Sequence, residues 1–236
     1  MENLTGQPRP SRPVSILCHA VAVGTSLSVD VWSDVVCPFC YLGSRQLELA
    51  LASFEHAEHV VVHHHAFELD PRARVDYDLS LSELVASKYG ISAERARVLH
   101  ERLAAQAEAL GVSMDFDIAR PTNTFDAHRL LALSATQGRD EAMNQRLFRA
   151  YFSEGLLVSD HDQLNALAED VGVADANLLW ETEAFASDVR ADERSAEGLG
   201  ISGVPAFLVD NTFMVLGAQG AEQIVDVLQR AWARRA

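Results

Sequence analysis

The chain has 236 residues, 48% of them hydrophobic and 22% charged, which suits one globular domain or one domain carrying a large insertion. Its formal charge of −15, from 19 Lys and Arg against 34 Asp and Glu, argues against nucleic acid or an anionic membrane as partners, since both need clustered basic groups. Three cysteines are too few for a disulfide-stapled secreted scaffold, and no apolar stretch is long enough to span a bilayer.

Residues 1–26 are expected to form a disordered tail. Arg9 and Arg12 precede the moderately apolar stretch Val14–Gly24, the outline of a signal peptide. However, Ser15, Cys18 and His19 interrupt the apolar run, and no small-x-small cleavage site precedes Ser26. A cytoplasmic protein is the expectation, with Cys18 a bystander. Leu27, Val29 and Val31 then alternate with Ser28, Asp30 and Trp32, the period-two pattern of a half-buried strand.

Val36-Cys37-Pro38-Phe39-Cys40-Tyr41 follows, and Leu42, Leu47, Leu49, Ala50 and Phe54 recur at spacings that fit a helix. Cys37 therefore falls at a helix start, where orphan N–H groups and the positive end of the dipole stabilise an anion, the environment of a nucleophilic sulfur. Pro38 suits the first helical position because its missing N–H costs nothing there. Cys40, one turn along, is placed to close a disulfide with Cys37, so the pair is a candidate redox centre. A structural zinc site needs four ligands, and neither Cys18 nor His63-His64-His65 supplies the missing half at a usual spacing. The three histidines alternate across a strand and cannot all meet one ion. No metal site is expected.

Val60–Phe67 is a second β-rich run, ended by Glu68-Leu69-Asp70-Pro71. From about Leu79 to Gly198 the signal is helical almost throughout. Ser80 and Glu83 stand at capping-box spacing, and Ser92–Leu110 is a long amphipathic helix closed by Gly111. Helices over Thr124–Gln137, Glu141–Phe152 and Asp160–Val171 are punctuated by Gly138, Gly155 and Gly172. Strand character returns at Ala206–Asp210 and Thr212–Leu216, joined around Asn211 as a tight hairpin. A final helix, Ala221–Ala233, carries Ile224, Val225, Leu228 and Trp232 at core spacing. The two β-rich ends must pair into one sheet, because neither buries its apolar face alone. The expected architecture is α/β: a thioredoxin-like fold in two parts, 27–78 and 199–236, with an all-helical insertion over 79–198.

Several segments in order resemble the DsbA family of thiol–disulfide oxidoreductases, and within it the FrnE-like branch of bacterial proteins. They are Ser33-Asp34-Val35-Val36-Cys37-Pro38-Phe39-Cys40-Tyr41-Leu42-Gly43, Asn123-Thr124-Phe125-Asp126-Ala127-His128-Arg129-Leu130, Leu147-Phe148-Arg149-Ala150-Tyr151-Phe152-Ser153-Glu154-Gly155, and Gly203-Val204-Pro205-Ala206-Phe207 with Gly217-Ala218-Gln219. The likeness runs from about Leu27 to the carboxyl end. It implies Cys37 as attacking cysteine, Cys40 as its partner, Pro38 and Phe39 as supporting residues, and Val204-Pro205 as a cis-proline element that contacts substrate. It also implies a redox-active disulfide with no further cofactor, though glutathione could serve as reductant or co-substrate. The substrates implied are thiol- or disulfide-containing proteins or small molecules.

Two positions depart from the pattern: Phe39, where many relatives carry Trp, and Gly220, where proline is common. Strongly oxidising relatives carry histidine in place of Phe39, so a milder oxidant is expected here. A sister group with the same fold comprises the 2-hydroxychromene-2-carboxylate isomerases and kappa-class glutathione transferases. These use glutathione as the sulfur nucleophile and typically carry Ser where this chain has Cys37. The paired cysteines favour disulfide exchange over that alternative. Asp34 is expected to cap or close a turn, and His128 to be a satisfied core or interface histidine.

Overall fold

A computed structural model describes residues 26–235; the expectations for the tail and Cys18 lie outside the described residues. β1 (Leu27–Ser33) leads into α1 (Pro38–Ser53), and β2 (Val60–Ala66) returns parallel to β1. Six helices come next: α2 (Leu81–Tyr89), α3 (Ala93–Ala109), α4 (Phe125–Thr136), α5 (Asp140–Ser153), α6 (His161–Asp170) and α7 (Ala186–Gly198). β3 (Ala206–Val209), β4 (Phe213–Leu216) and α8 (Ala221–Ala233) complete the chain. The sheet order is β2-β1-β3-β4, with β3 antiparallel to both β1 and β4. The two β-rich ends therefore meet between β1 and β3, as a thioredoxin-like fold with a helical insertion requires.

Alternation in β1 assigns the two faces of the sheet. Leu27, Val29 and Val31 join Phe207, Val209 and Val215 against Leu47 and Ala50 of α1 and the apolar stripe of α8. That stripe is Ile224, Val227, Leu228 and Ala231, one helical face at spacings of three and four. The opposite face presents Trp32, Ala206 and Leu208 to Ala196 of α7 and to Ile201. The β3–β4 hairpin turns on Asp210 and Asn211, at φ 52° and 51°, with Thr212 N–H donating to Val209 O at 3.0 Å. Two successive left-handed residues match the twist of a tight hairpin, and Asp and Asn tolerate that conformation best after glycine.

The capping box of α2 is complete: Ser80 accepts from the Glu83 N–H, and the Glu83 carboxylate accepts from the Ser80 N–H at 2.8 Å. The block is less uniformly helical than its sequence suggests. Residues 111–124 are irregular, yet Val112, Met114, Phe116 and Ala119 are buried in the same cluster as α5. Pro121 removes a backbone donor there, and the Asp115 carboxylate accepts from the Asp117 N–H at 3.0 Å, a local bond that competes with helix. Between α6 and α7 the chain makes a 3₁₀ turn over Ala176–Leu179, flanked by left-handed Asp175 and Phe185.

Candidate active site

The site lies where β1 gives way to α1. Asp34 O accepts from the Cys37 N–H at 3.0 Å, closing the turn, and Cys37 O accepts from the N–H groups of Cys40 and Tyr41 at 3.0 and 3.3 Å. Cys37 is the N-cap in extended conformation, φ −90° and ψ 115°, with Pro38 next and no side-chain hydrogen bond capping the helix. Pro38 has no N–H and that of Cys40 is taken by Cys37 O, so in the first turn the Phe39 N–H and the positive end of the helix dipole are left to the Cys37 side chain and whatever approaches it. Both cysteines are free thiols and almost wholly covered, Cys37 at 4% and Cys40 at 2% exposure.

The two sulfurs differ. Burial pushes the Cys40 thiol well above the ordinary cysteine range, and the neighbouring Cys37 sulfur adds to the shift; backbone and hydroxyl contacts to Asp34 and Ser33 offset only part of it. Cys40 therefore holds its proton. The Cys37 sulfur faces the Val204 carbonyl oxygen at 3.7 Å, within reach of a weak S–H donor.

Val204-Pro205 is a cis peptide. Pro205 packs on α1 at Gly43, where a Cβ atom would come within 2.9 Å of Pro205 Cγ and 3.1 Å of Phe207 Cζ. The absent side chain lets the proline loop reach α1. From the other side the Gly217 N–H donates to Pro205 O at 2.7 Å, and Gly217 holds φ 79° to do so. Phe39 projects outward at 47% exposure, an apolar group between the two cysteines in sequence and beside them at the surface. The structure thus gathers Cys37, Cys40, Pro38, Phe39, Val204 and Pro205 into one locality, although Val204 lies far along the chain from the cysteines.

Beneath the thiols sits a buried polar group that sequence reasoning resolved only in part. The Asp34 carboxylate accepts from the Leu69 N–H at 2.7 Å and lies 3.5 Å from His128 Nε2, both side chains being about 1% exposed. Asp34 closes a turn, as expected of it. His128 is a correction: it is buried, yet neither ring nitrogen finds a hydrogen-bond partner among the described residues. Tyr151, also buried, has its hydroxyl held far above the ordinary phenol range by burial and by the charge of Asp34. Tyr41, next to Cys40, stacks on Phe148 of α5 at 4.9 Å, so α1 is packed directly against the helical block.

His63, His64 and His65 diverge as their alternation demands: His63 is exposed, His64 meets Glu141 at 2.9 Å, and His65 lies between Asp192 and Asp30. No group of three or more His, Cys, Asp or Glu among the described residues is arranged to hold a metal ion. No helix among them is long and apolar enough to cross a membrane.

Comparison with known proteins agrees with this fold. The model of the DSBA-like thioredoxin domain matches residues 28–229. The crystal structure of a probable DsbA oxidoreductase from Streptomyces coelicolor superposes with a TM-score of 0.84 at 38% identity, covering 89% of this chain and 92% of that one. An uncharacterized protein of Bacillus subtilis, YwbO, is 28% identical over 87% of this chain and 96% of its own length. A 2-hydroxychromene-2-carboxylate isomerase shares the fold, with a TM-score of 0.62 at 16% identity over 86% of this chain and 95% of that one. The chain belongs to the DSBA-like thioredoxin domain family and is a disulfide oxidoreductase of the DsbA kind.

Proposed function

We propose that the protein exchanges disulfides with thiol substrates through Cys37 and Cys40. The observation that carries this reading is the asymmetry of the pair: Cys37 at an uncapped helix start facing the Val204 carbonyl, Cys40 buried behind it with its proton held. In the oxidising direction a substrate thiolate attacks Sγ of Cys37 in the Cys37–Cys40 disulfide. The S–S bond breaks, Cys40 leaves as thiolate and takes up a proton, which its burial favours. A second substrate thiolate then attacks the substrate's own sulfur in the mixed disulfide. That releases Cys37 as thiolate, with the substrate oxidised and the enzyme reduced by two electrons. Reduction of substrates runs the same steps backwards, with Cys40 resolving the mixed disulfide.

Val204 supplies a backbone carbonyl beside Cys37, and an extended peptide pairing along the 203–205 loop would present its sulfur to the same place. Glutathione fits as small-molecule reductant or co-substrate, and the cytoplasm as compartment. A glutathione-dependent isomerase would take its nucleophilic sulfur from glutathione and has no use for Cys40. Titration of free thiols before and after dithiothreitol tests the reading on an air-oxidised sample. A reversible gain of two thiols, with turnover of a peptide disulfide, is the expected result. Thiols that never pair, together with glutathione-dependent turnover of a chromene carboxylate, would overturn it.

A further inference from the structure

His65 has a carboxylate on each ring nitrogen. Nδ1 lies 2.7 Å from Asp192 Oδ1, and Nε2 lies 2.9 Å from Asp30 Oδ1. Neutral imidazole has one N–H and one acceptor, so only the imidazolium can donate to both. Asp192 belongs to α7, Asp30 to β1 and His65 to β2, so one cation ties the last helix of the insertion to two strands. Asp192 is engaged further: its Oδ2 accepts from the Ala66 N–H at 2.9 Å, and its backbone carbonyl accepts from the Trp32 indole N–H at 3.2 Å. The Trp32 ring stacks on His65 at 4.6 Å.

Trp32 extends this arrangement towards the redox centre. In the sheet it lies opposite His65 on one side and Ala206, the residue after Pro205, on the other. Its ring shares a cluster with Ala196, Ile201, Ala206 and Leu208, against which Val204 packs. The end of α7 is fastened to the same loop, because Ala196 O accepts from the Ile201 N–H at 2.9 Å. Three residues further on is Val204, whose carbonyl faces Cys37.

We propose that His65, Asp30 and Asp192 form an ionic clasp that, through Trp32 and the end of α7, positions the 201–205 loop for substrate. They are positioning residues, and the inference rests on the thiol–disulfide reading above. Burial alone would make His65 give up its proton, but its bonds to Asp192 and Asp30 overcome this and hold it above the ordinary imidazole range. The clasp is therefore complete below the ordinary imidazole pKa and is lost as pH rises through the higher folded value. Once the proton leaves, one ring nitrogen confronts a carboxylate oxygen as acceptor against acceptor, and one bond must break. Other charges nearby are otherwise engaged: Arg190 of α7 pairs with Glu193 and with Glu68, and His63, across from Asp30, is exposed.

The test compares the full-length protein with His65→Gln and Asp192→Asn, using a peptide disulfide across pH 5 to 9. In the wild type KM rises as His65 titrates, while the pH profiles of kcat and of Cys37 alkylation are the same in wild type and His65→Gln. His65→Gln raises KM about tenfold at acidic pH and flattens its pH profile, the scale expected for loss of a charge-assisted pair. Wild-type KM and an unchanged profile in His65→Gln would overturn the proposal. Should the variants not fold, ¹⁵N spectra of the wild type decide it: both ring nitrogens of His65 protonated at neutral pH supports the clasp, and a single N–H overturns it. A wild type without disulfide turnover would sink the functional reading. The clasp is then judged by amide exchange of 186–205, which must quicken beyond the general base-catalysed increase as His65 deprotonates, and a rise no greater than that would overturn it.

Discussion

Cys40 keeps its proton because it is buried next to another sulfur, and this predicts sharply unequal thiols. Of these two thiols, iodoacetamide at neutral pH should modify Cys37 and spare Cys40, which should react only well into the alkaline range, as peptide mass spectrometry would show. Correspondingly, Cys37→Ser should abolish reduction of model disulfides, and Cys40→Ser should accumulate mixed disulfides at Cys37 on non-reducing gels. Gly43 gives a second prediction at this scale. Alanine there gains about 1 kcal/mol of helix propensity but drives a methyl group to 2.9 Å from Pro205 Cγ. Contact wins over propensity, so Gly43→Ala should displace the Val204-Pro205 loop and lose activity out of proportion to any loss of thermal stability. Phe39 offers the Cys37 anion neither charge nor a donor. Phe39→His should raise the redox potential by some tens of millivolts, about 30 mV corresponding to 1.4 kcal/mol for a two-electron couple. Equilibration against glutathione measures it, and the wild type is expected at roughly −180 to −250 mV.

Among the elements, those with local signatures are legible in the sequence. The capping box at Ser80 and Glu83 and the proline behind Cys37 each fall within a few residues and appear where the pattern puts them, whereas the stripe of α8 keeps Ile224 and Leu228 but is completed by Val227 and Ala231, with Val225 and Trp232 only partly buried. Ser80→Ala should cost about 1 kcal/mol, since it removes one half of a reciprocal cap. Chemical denaturation would show the loss. What the sequence hides depends on partners far apart. Asp192 and His65 are 127 positions apart, and nothing in either segment announces the other. Gly43 belongs to a recognisable motif, but its purpose is visible only once Pro205 is seen against it. The irregular stretch 111–124 misleads for the opposite reason: its apolar residues are core residues, but they are delivered by a loop rather than a helix.

At the scale of the molecule, α1 is shared between two cores. Leu47 and Ala50 of α1 pack with the sheet and α8, whereas Cys37, Cys40, Tyr41 and Leu42 pack with Leu147, Phe148 and Phe152 of the helical block. The block is therefore a wall of the active site. Phe148→Ala, at a position with no exposure, should cost about 3–5 kcal/mol and perturb the cysteines as well as the block. Thermal unfolding followed by fluorescence, together with the alkylation rate of Cys37, would report both effects. The division of the sequence into a thioredoxin-like part and an insertion describes chain order, whereas the packing joins the two at the site itself.

The covering of both sulfurs also bears on survival under oxidative stress. Peroxide must reach a sulfur to convert it to a sulfenic acid, and Cys37 is only 4% exposed. Any sulfenic acid formed there has Cys40 one turn away, ready to expel water and close the disulfide. The intramolecular reaction competes against a second encounter with oxidant, so sulfinic and sulfonic acids should be rare in the wild type. Cys40→Ser removes the competitor. After peroxide treatment that variant should carry irreversible oxidation at Cys37, while the wild type recovers fully with dithiothreitol. The buried pair should thus limit over-oxidation of Cys37.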